Sequence, residues 1–255
     1  MNGVEKLKEK LEKGERIYST MLCEWNNTKL PGFYKESGVD FIIADLEHGT
    51  FYPERINEIA RMSHLVDIPF IARVQDCEYH CISKCIDMGA DGVLIPRTES
   101  MEQVETAIHS LRMYPYGKKG VGGSCMRPGE TIAEFNSNRL LFLQMESPQG
   151  IDLLDEILTK YGDQVAGIIV GPSDLTSAMG FPTFGGPKSE EYYDYIRKVI
   201  RVSKAHGKSS GIFMGGDRDI EMWHKEGMNI YWVSTELGML FAEVRRVRRF
   251  IMNLE

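Results

Sequence analysis

The sequence has no long apolar run. None of its 255 residues belongs to a stretch approaching the roughly 18 consecutive apolar residues of a membrane-spanning helix. Met1 to Arg16 is a charged helical pattern without the apolar centre of a signal peptide, so a cytoplasmic protein with no membrane partner is expected. A basic excess is also missing. Lys and Arg number 30 against 37 Asp and Glu, and the net charge of −7 argues against a nucleic-acid partner, which calls for a basic surface. The one locally basic patch, Arg245, Arg246, Arg248 and Arg249, follows Glu243 in an amphipathic helical pattern and reads as a solvated or intersubunit face. Cysteine is sparse and odd in number. Five residues without a paired framework fit reduced thiols. Cys77, Cys81 and Cys85 would line one helical face, and with no fourth ligand in sequence they read as core packing rather than a soft-metal site. No Gly-x-Gly-x-x-Gly follows the first strand, and no low-complexity linker divides the chain. Residues 1–255 are therefore expected to form one domain.

With 42% hydrophobic and 26% charged residues, the chain has the composition of a globular protein with a full core. Eight short apolar segments stand out: 16–23, the run within 39–49, 69–75, 91–96, 140–146, 166–171, 209–214 and 229–234. Helical patterns separate them, one preceded by a glycine-rich excursion from Tyr114 to Pro128. Eight strands alternating with helices at intervals of about 20 to 45 residues predict a (β/α)8 barrel, with an open doubly wound sheet as the alternative.

In such barrels the strands' C-terminal ends converge, and chemistry gathers there. The stretch Val39 to Gly49 ends in Asp45, Glu47 and His48. Asp45 and His48 are close enough in sequence for a carboxylate to fix an imidazole tautomer, or simply to cap the following turn. Arg73 ends the third strand, Gln144 and Glu146 the fifth, and Gly171-Pro172-Ser173-Asp174 follow the sixth. Two carboxylates facing one space, Glu146 and Asp174, call either for a hard divalent cation such as Mg²⁺ or Mn²⁺ or for separate ion pairs with nearby cations. Arg73 suits a substrate carboxylate or an enolate oxygen. The Gly171 to Asp174 segment reads either as an anion-receiving helix start or as a plain cap. Trp25, after strand one, borders the substrate pocket or packs in the core.

These residues carry a resemblance. Asp40-Phe-Ile-Ile-Ala-Asp45-Leu-Glu-His48-Gly, Arg73-Val, Gly89-Ala-Asp-Gly-Val-Leu-Ile-Pro96, Tyr114-Pro-Tyr-Gly-Lys-Lys-Gly120, Gln144-Met-Glu146 and Gly171-Pro-Ser-Asp-Leu-Thr-Ser-Ala-Met-Gly180 stand in one order from about Trp25 to the last helix. Together they resemble the metal-dependent (class II) pyruvate aldolases of the HpcH/HpaI family, which include 4-hydroxy-2-oxoheptanedioate and 2-dehydro-3-deoxyglucarate aldolases. The resemblance implies a TIM barrel of the phosphoenolpyruvate/pyruvate type, assembled as a homohexamer that exchanges its last helices. It implies Glu146 and Asp174 as ligands of Mg²⁺, Mn²⁺ or Co²⁺, an Asp45–His48 dyad, Arg73 as the essential arginine, Gln144 near the keto acid, and the backbone of Gly171, Pro172 and Ser173 around the pyruvate carboxylate. The reaction implied is cleavage of a 4-hydroxy-2-oxo acid to pyruvate and an aldehyde through a stabilised enolate. A citrate-lyase-like enzyme acting on an acyl-CoA, and a non-catalytic barrel binding a keto acid, are the alternatives. The chain departs from the family's Tyr-Pro-Pro-x-Gly-x-Arg-Gly at Tyr116 and Lys119, and from its Gly-Ser-Asp at Ser234-Thr-Glu236.

Overall fold

Each short apolar segment becomes a strand, and the strands close on themselves. The computed structural model describes residues 1–122, 125–127, 129–183 and 188–254. In chain order the elements are α1 (Gly3–Lys13), β1 (Ile17–Leu22), α2 (Leu30–Glu36), β2 (Phe41–Asp45), α3 (Pro53–Leu65), β3 (Phe70–Arg73), α4 (Tyr79–Asp87), β4 (Gly92–Ile95), α5 (Met101–Leu111) and α6 (Ile132–Ser137). There follow β5 (Leu140–Met145), α7 (Pro148–Tyr161), a 3₁₀ turn (Gly162–Gln164), β6 (Gly167–Val170), α8 (Pro172–Ala178), α9 (Glu190–Ala205), β7 (Ser209–Met214), α10 (Asp217–Glu226), β8 (Ile230–Thr235) and α11 (Glu236–Met252). Neighbouring strands pair in parallel, and β8 returns to β1, which closes the barrel. The strands fall where the apolar runs predict them. Within the glycine-rich excursion, residues 123, 124 and 128 lie outside the described residues.

Two apolar layers result from the two-residue period of a strand. Ile42 and Ala44 face the helices with Ala72, Leu141 and Ile168, while Phe41, Ile43, Ile71, Leu94, Phe142, Ile169 and Trp232 fill the barrel. Phe41 and Phe142 stack inside it with ring centroids 5.4 Å apart. Helix α1 closes the N-terminal mouth, adding Val4, Leu7 and Leu11 to the interior cluster. Its Asn2–Glu5 capping box and left-handed Gly14 fix both of its ends. Helix α11 is the exception to burial. Of its 17 residues only Glu236 is buried, and Phe241, Val244, Phe250 and Ile251 are all more than half exposed. Among the described residues no helix is long and apolar enough to cross a membrane. Cys77 and Cys85 are buried in the outer core and all five cysteines are free, in keeping with the packing reading. Cys77 precedes α4 rather than sharing its face.

Candidate active site

The inward stripe turns from apolar to ionisable as each strand reaches its C-terminal end. Asp45 continues the parity of Phe41 and Ile43, and Arg73 that of Ile71, so both point into the barrel. Parallel register sets them side by side. Arg73 Nε donates to Asp45 Oδ1 at 2.9 Å and Nη2 to Oδ2 at 2.6 Å, the two-pronged geometry that a guanidinium offers a carboxylate. Asp45 is 1% exposed and Arg73 5%. The Asp45 carboxylate also accepts the backbone N–H groups of Glu47 (3.1 Å) and His48 (3.2 Å). The expected contact between Asp45 and the His48 ring is therefore not made. Arg73 occupies the carboxylate, and the His48 side chain, 63% exposed, turns to Glu47 with Nε2 3.9 Å from Oε1.

Glu47 is the residue that the sequence reading left without a role. Its buried carboxylate lies against Arg73 Nη1 at 3.3 Å, Arg97 Nε at 3.4 Å and the His48 ring. Burial pushes its carboxyl upward, while Arg73, His48 and Arg97 draw it down. The signal was present in the alternation, since Glu47 lies two residues beyond Asp45 at the end of the same strand.

Across the barrel, Gln144 and Glu146 extend the inward parity of Phe142. Glu146 Oε1 accepts the Arg97 backbone N–H at 2.6 Å, and Oε2 accepts from the Gln144 amide. Gln144 thus contacts a predicted metal ligand directly, and its own Oε1 is buried without a partner. The Glu146 carboxyl is pushed up to about 7, first by burial, then by the nearby negative charges of Asp174 and Glu47, against the hydrogen bonds from Arg97 and Gln144. Gly171 faces this pair. A Cβ there would overlap Glu146 Oε2 and stand 2.7 Å from Gln144 Nε2, so the carboxylate occupies the space left by the missing side chain. Gly171 N–H already donates to Met145 O at 3.2 Å, and Pro172 has no N–H. Of the predicted carboxylate-binding backbone, the Ser173 N–H is the group left to donate. Asp174 sits half-buried in the first turn of α8.

A divalent ion fits this donor set. The Asp174 charge makes ionisation of Glu146 costlier, which a hard cation would relieve, and Mg²⁺ or Mn²⁺ commonly takes only one or two protein carboxylates, completing its shell with water and substrate oxygens. Among the described residues no group of three or more His, Cys, Asp or Glu side chains could hold a metal. The carboxylates placed for such an ion are those of Glu146 and Asp174.

Three further residues shape the mouth. Arg97 adopts φ +47°, a conformation uncommon outside glycine, which aims its N–H at Glu146 and leaves its guanidinium half exposed beside Glu47. Trp232 is buried inside the barrel with Nε1 unpartnered, and the Arg73 guanidinium carbon lies 5.8 Å from its ring centroid. Glu236, at the point of departure from the family pattern, is 4% exposed and accepts the backbone N–H groups of Cys23, Glu24 and Trp25, tying the β1 loop to the start of α11. Trp25 is 41% exposed and does not pack in the core.

Comparison with known proteins agrees with the barrel fold. Residues 19–242 match the model of the HpcH/HpaI aldolase/citrate lyase family. A 5-keto-4-deoxy-D-glucarate aldolase of Escherichia coli O139:H28 (strain E24377A / ETEC) is 30% identical over 221 residues, covering 83% of each chain. An HpcH/HpaI aldolase from Desulfitobacterium hafniense DCB-2 superposes with a TM-score of 0.86 at 26% identity, covering 98% of this chain and 97% of that one. An HpcH/HpaI aldolase/citrate lyase family protein from Burkholderia cenocepacia J2315 has the same fold at a TM-score of 0.86 and 22% identity, covering 97% and 99%. With its barrel closed and the ends of β2, β3, β5 and β6 gathered around one ionisable cluster, the chain belongs to the HpcH/HpaI aldolase/citrate lyase family and is a lyase of the aldolase type.

Proposed function

We propose that the chain is a divalent-metal-dependent aldolase that cleaves a 4-hydroxy-2-oxo acid to pyruvate and an aldehyde, and joins them in reverse. The observation that carries this reading is the pairing at the barrel mouth of two unlike halves. One is the guanidinium of Arg73 locked on Asp45, and the other is the carboxyl of Glu146, lifted to about 7 beside Asp174. Glu146 and Asp174 would hold Mg²⁺, Mn²⁺ or Co²⁺. Such an ion supplies Lewis-acid charge that spreads the negative charge of the enolate.

The protein's own groups do the rest. Of the five N–H groups on Arg73, three face Asp45 and Glu47, which leaves two for the substrate. Arg73 places fixed positive charge where the enolate oxygen forms, without reorganisation during the reaction. Ser173 N–H receives the substrate carboxylate at the start of α8, and Gln144 restrains the Glu146 carboxylate. His48, exposed at the mouth and next to Glu47, takes the C4 hydroxyl proton directly or through one water as the C3–C4 bond breaks. In this scheme Glu47 holds the ring, and Asp45 acts through Arg73. The E. coli relative's name points to a keto-deoxy sugar acid, and we extend that class of substrate to this chain, with the half-exposed Arg97 as the cation at the entrance. The exposed apolar residues of α11 support a homohexamer formed by exchange of the last helices, and the free thiols fit a cytoplasmic setting.

The test is exchange of the pyruvate C3 protons into D₂O followed by NMR. Exchange that needs Mn²⁺ and stops with EDTA is expected. No exchange under any metal condition would reject the enolate mechanism.

A further inference from the structure

A second concave site lies at the opposite end of the barrel. It has a volume of about 410 Å³, within the range of small-molecule pockets, and lies where α1, the end of α5 and the N-terminal ends of β5, β6 and β7 meet. Its lining is cationic in depth and acidic at the rim. Arg112 and Arg139 are buried, at 7% and 3% exposure, and Lys208 is half-buried, whereas Glu12 and Asp163 are exposed.

Arg112 is the unusual member. A buried charge is ordinarily paired with an opposite charge, yet among the described residues Arg112 has no carboxylate partner. Its Nε and Nη2 donate to the carbonyl oxygens of Asn136 (3.3 Å), Arg139 (3.2 Å) and Gln164 (3.0 Å), and its Nη1 has no partner among the described residues. Arg139 does have a counter-ion, Glu130 at 3.2 Å, but its Nε and Nη1 are also unsatisfied. The Lys208 ammonium has no hydrogen-bond partner among the described residues, and burial depresses it despite Asp163 and Glu12 nearby. Burial likewise lowers the Arg112 guanidinium to about 10. Lys8, from α1, completes the cationic wall while donating to Ser137 O at 2.7 Å.

Arg112, buried without a carboxylate partner among the described residues, stands with Arg139 and Lys208 in the wall of a cavity with excess positive charge, which an oxyanion would complement. We propose that this cavity at the N-terminal mouth is a binding site for a small oxyanion bearing two or more negative charges, of the phosphate or polycarboxylate kind, held by Arg112, Arg139 and Lys208. Bound there, the anion bridges α1 to the strand starts. The site is remote from the β-strand C-terminal ends, and its existence does not depend on the reaction carried out there.

Isothermal titration of the metal-free full chain with inorganic pyrophosphate and, separately, with citrate tests this. Metal-free protein keeps either anion from binding through an ion at the catalytic end. Saturable binding of one or both is expected, and which anion binds identifies the ligand class. Lys208→Ala, which removes a half-buried ammonium that bonds to no described residue, should weaken it about tenfold, the loss of one charge-assisted bond, while Arg73→Met leaves it unchanged. Arg112→Met should abolish it, with circular dichroism confirming that the barrel is intact. Absence of heat for both anions up to about 10 mM would overturn the proposal. So would binding that survives Lys208→Ala but is lost in Arg73→Met, because the anion would then sit at the catalytic end.

Discussion

Replacing Arg73 by Met isolates the value of the Asp45–Arg73 pair, because Met fills most of the volume and removes the charge. The wild-type pair is buried at both ends and joined by two charge-assisted hydrogen bonds of 2.9 and 2.6 Å. Removing one partner of a buried pair costs about 3–5 kcal/mol, most of it from the charge left behind. Asp45 keeps the two backbone N–H bonds from Glu47 and His48, which puts the expected loss at the lower end, about 3 kcal/mol. Arg73 is thus not a rim residue whose loss harms turnover alone, and its substitution should be felt in folding as well as in catalysis. Urea unfolding at fixed protein concentration measures it, with an unchanged slope taken as the sign that the compared states are the same. Adding Asp45→Asn to Arg73→Met removes the orphaned charge and should restore part of the loss, so the double variant should be more stable than Arg73→Met alone. A single variant within about 1 kcal/mol of wild type, or a double variant less stable than Arg73→Met, would refute the reasoning.

Three further outcomes follow from the site. In metal-free protein the raised Glu146 carboxyl makes the folded state bind more protons than the unfolded chain between about 4.5 and about 7, so stability is highest at the acid side of this window and falls as pH rises through it. Glu146→Gln should flatten that slope and be the more stable form at pH 8 by up to about 3 kcal/mol, read from thermal melts across pH; parallel profiles would show that Glu146 titrates normally. Gly171→Ala, whose methyl group would collide with the Glu146 carboxylate and the Gln144 amide, should lower Mn²⁺ affinity at least about tenfold while costing about 1–3 kcal/mol of stability, and unchanged affinity by calorimetry would remove Glu146 from the metal site. His48→Ala, at an exposed side chain, should leave stability within about 0.5 kcal/mol but slow aldol cleavage by a factor of about 100 or more, whereas an unaltered rate would exclude the histidine as proton carrier.

Local patterns in the chain were enough for the barrel. Eight apolar runs such as Phe41–Asp45 and Gly167–Val170, bounded by turn residues and separated by helical periods, allow few other ways of burying every strand on both faces. The period of two along each strand also carries Asp45, Arg73, Gln144 and Glu146 onto the inward face, since parity is a local property. Which inward groups touch is not local. Register between β2 and β3 put Arg73 against Asp45, so the carboxylate was unavailable to the His48 ring three residues away, and proximity in sequence was misleading. The left-handed turn at Arg97 swung a residue following β4 onto Glu146 after β5 and Glu47 after β2, a meeting of three strand ends that no spacing encodes. At the opposite end, Lys8, Arg112, Arg139 and Lys208 are spread over 200 residues and share a cavity only because α1 folds under the barrel. Periodicity and residue type, which act over a few neighbours, determined the fold and the inward faces; charge pairing, which depends on distance in space, was decided by closure of the barrel.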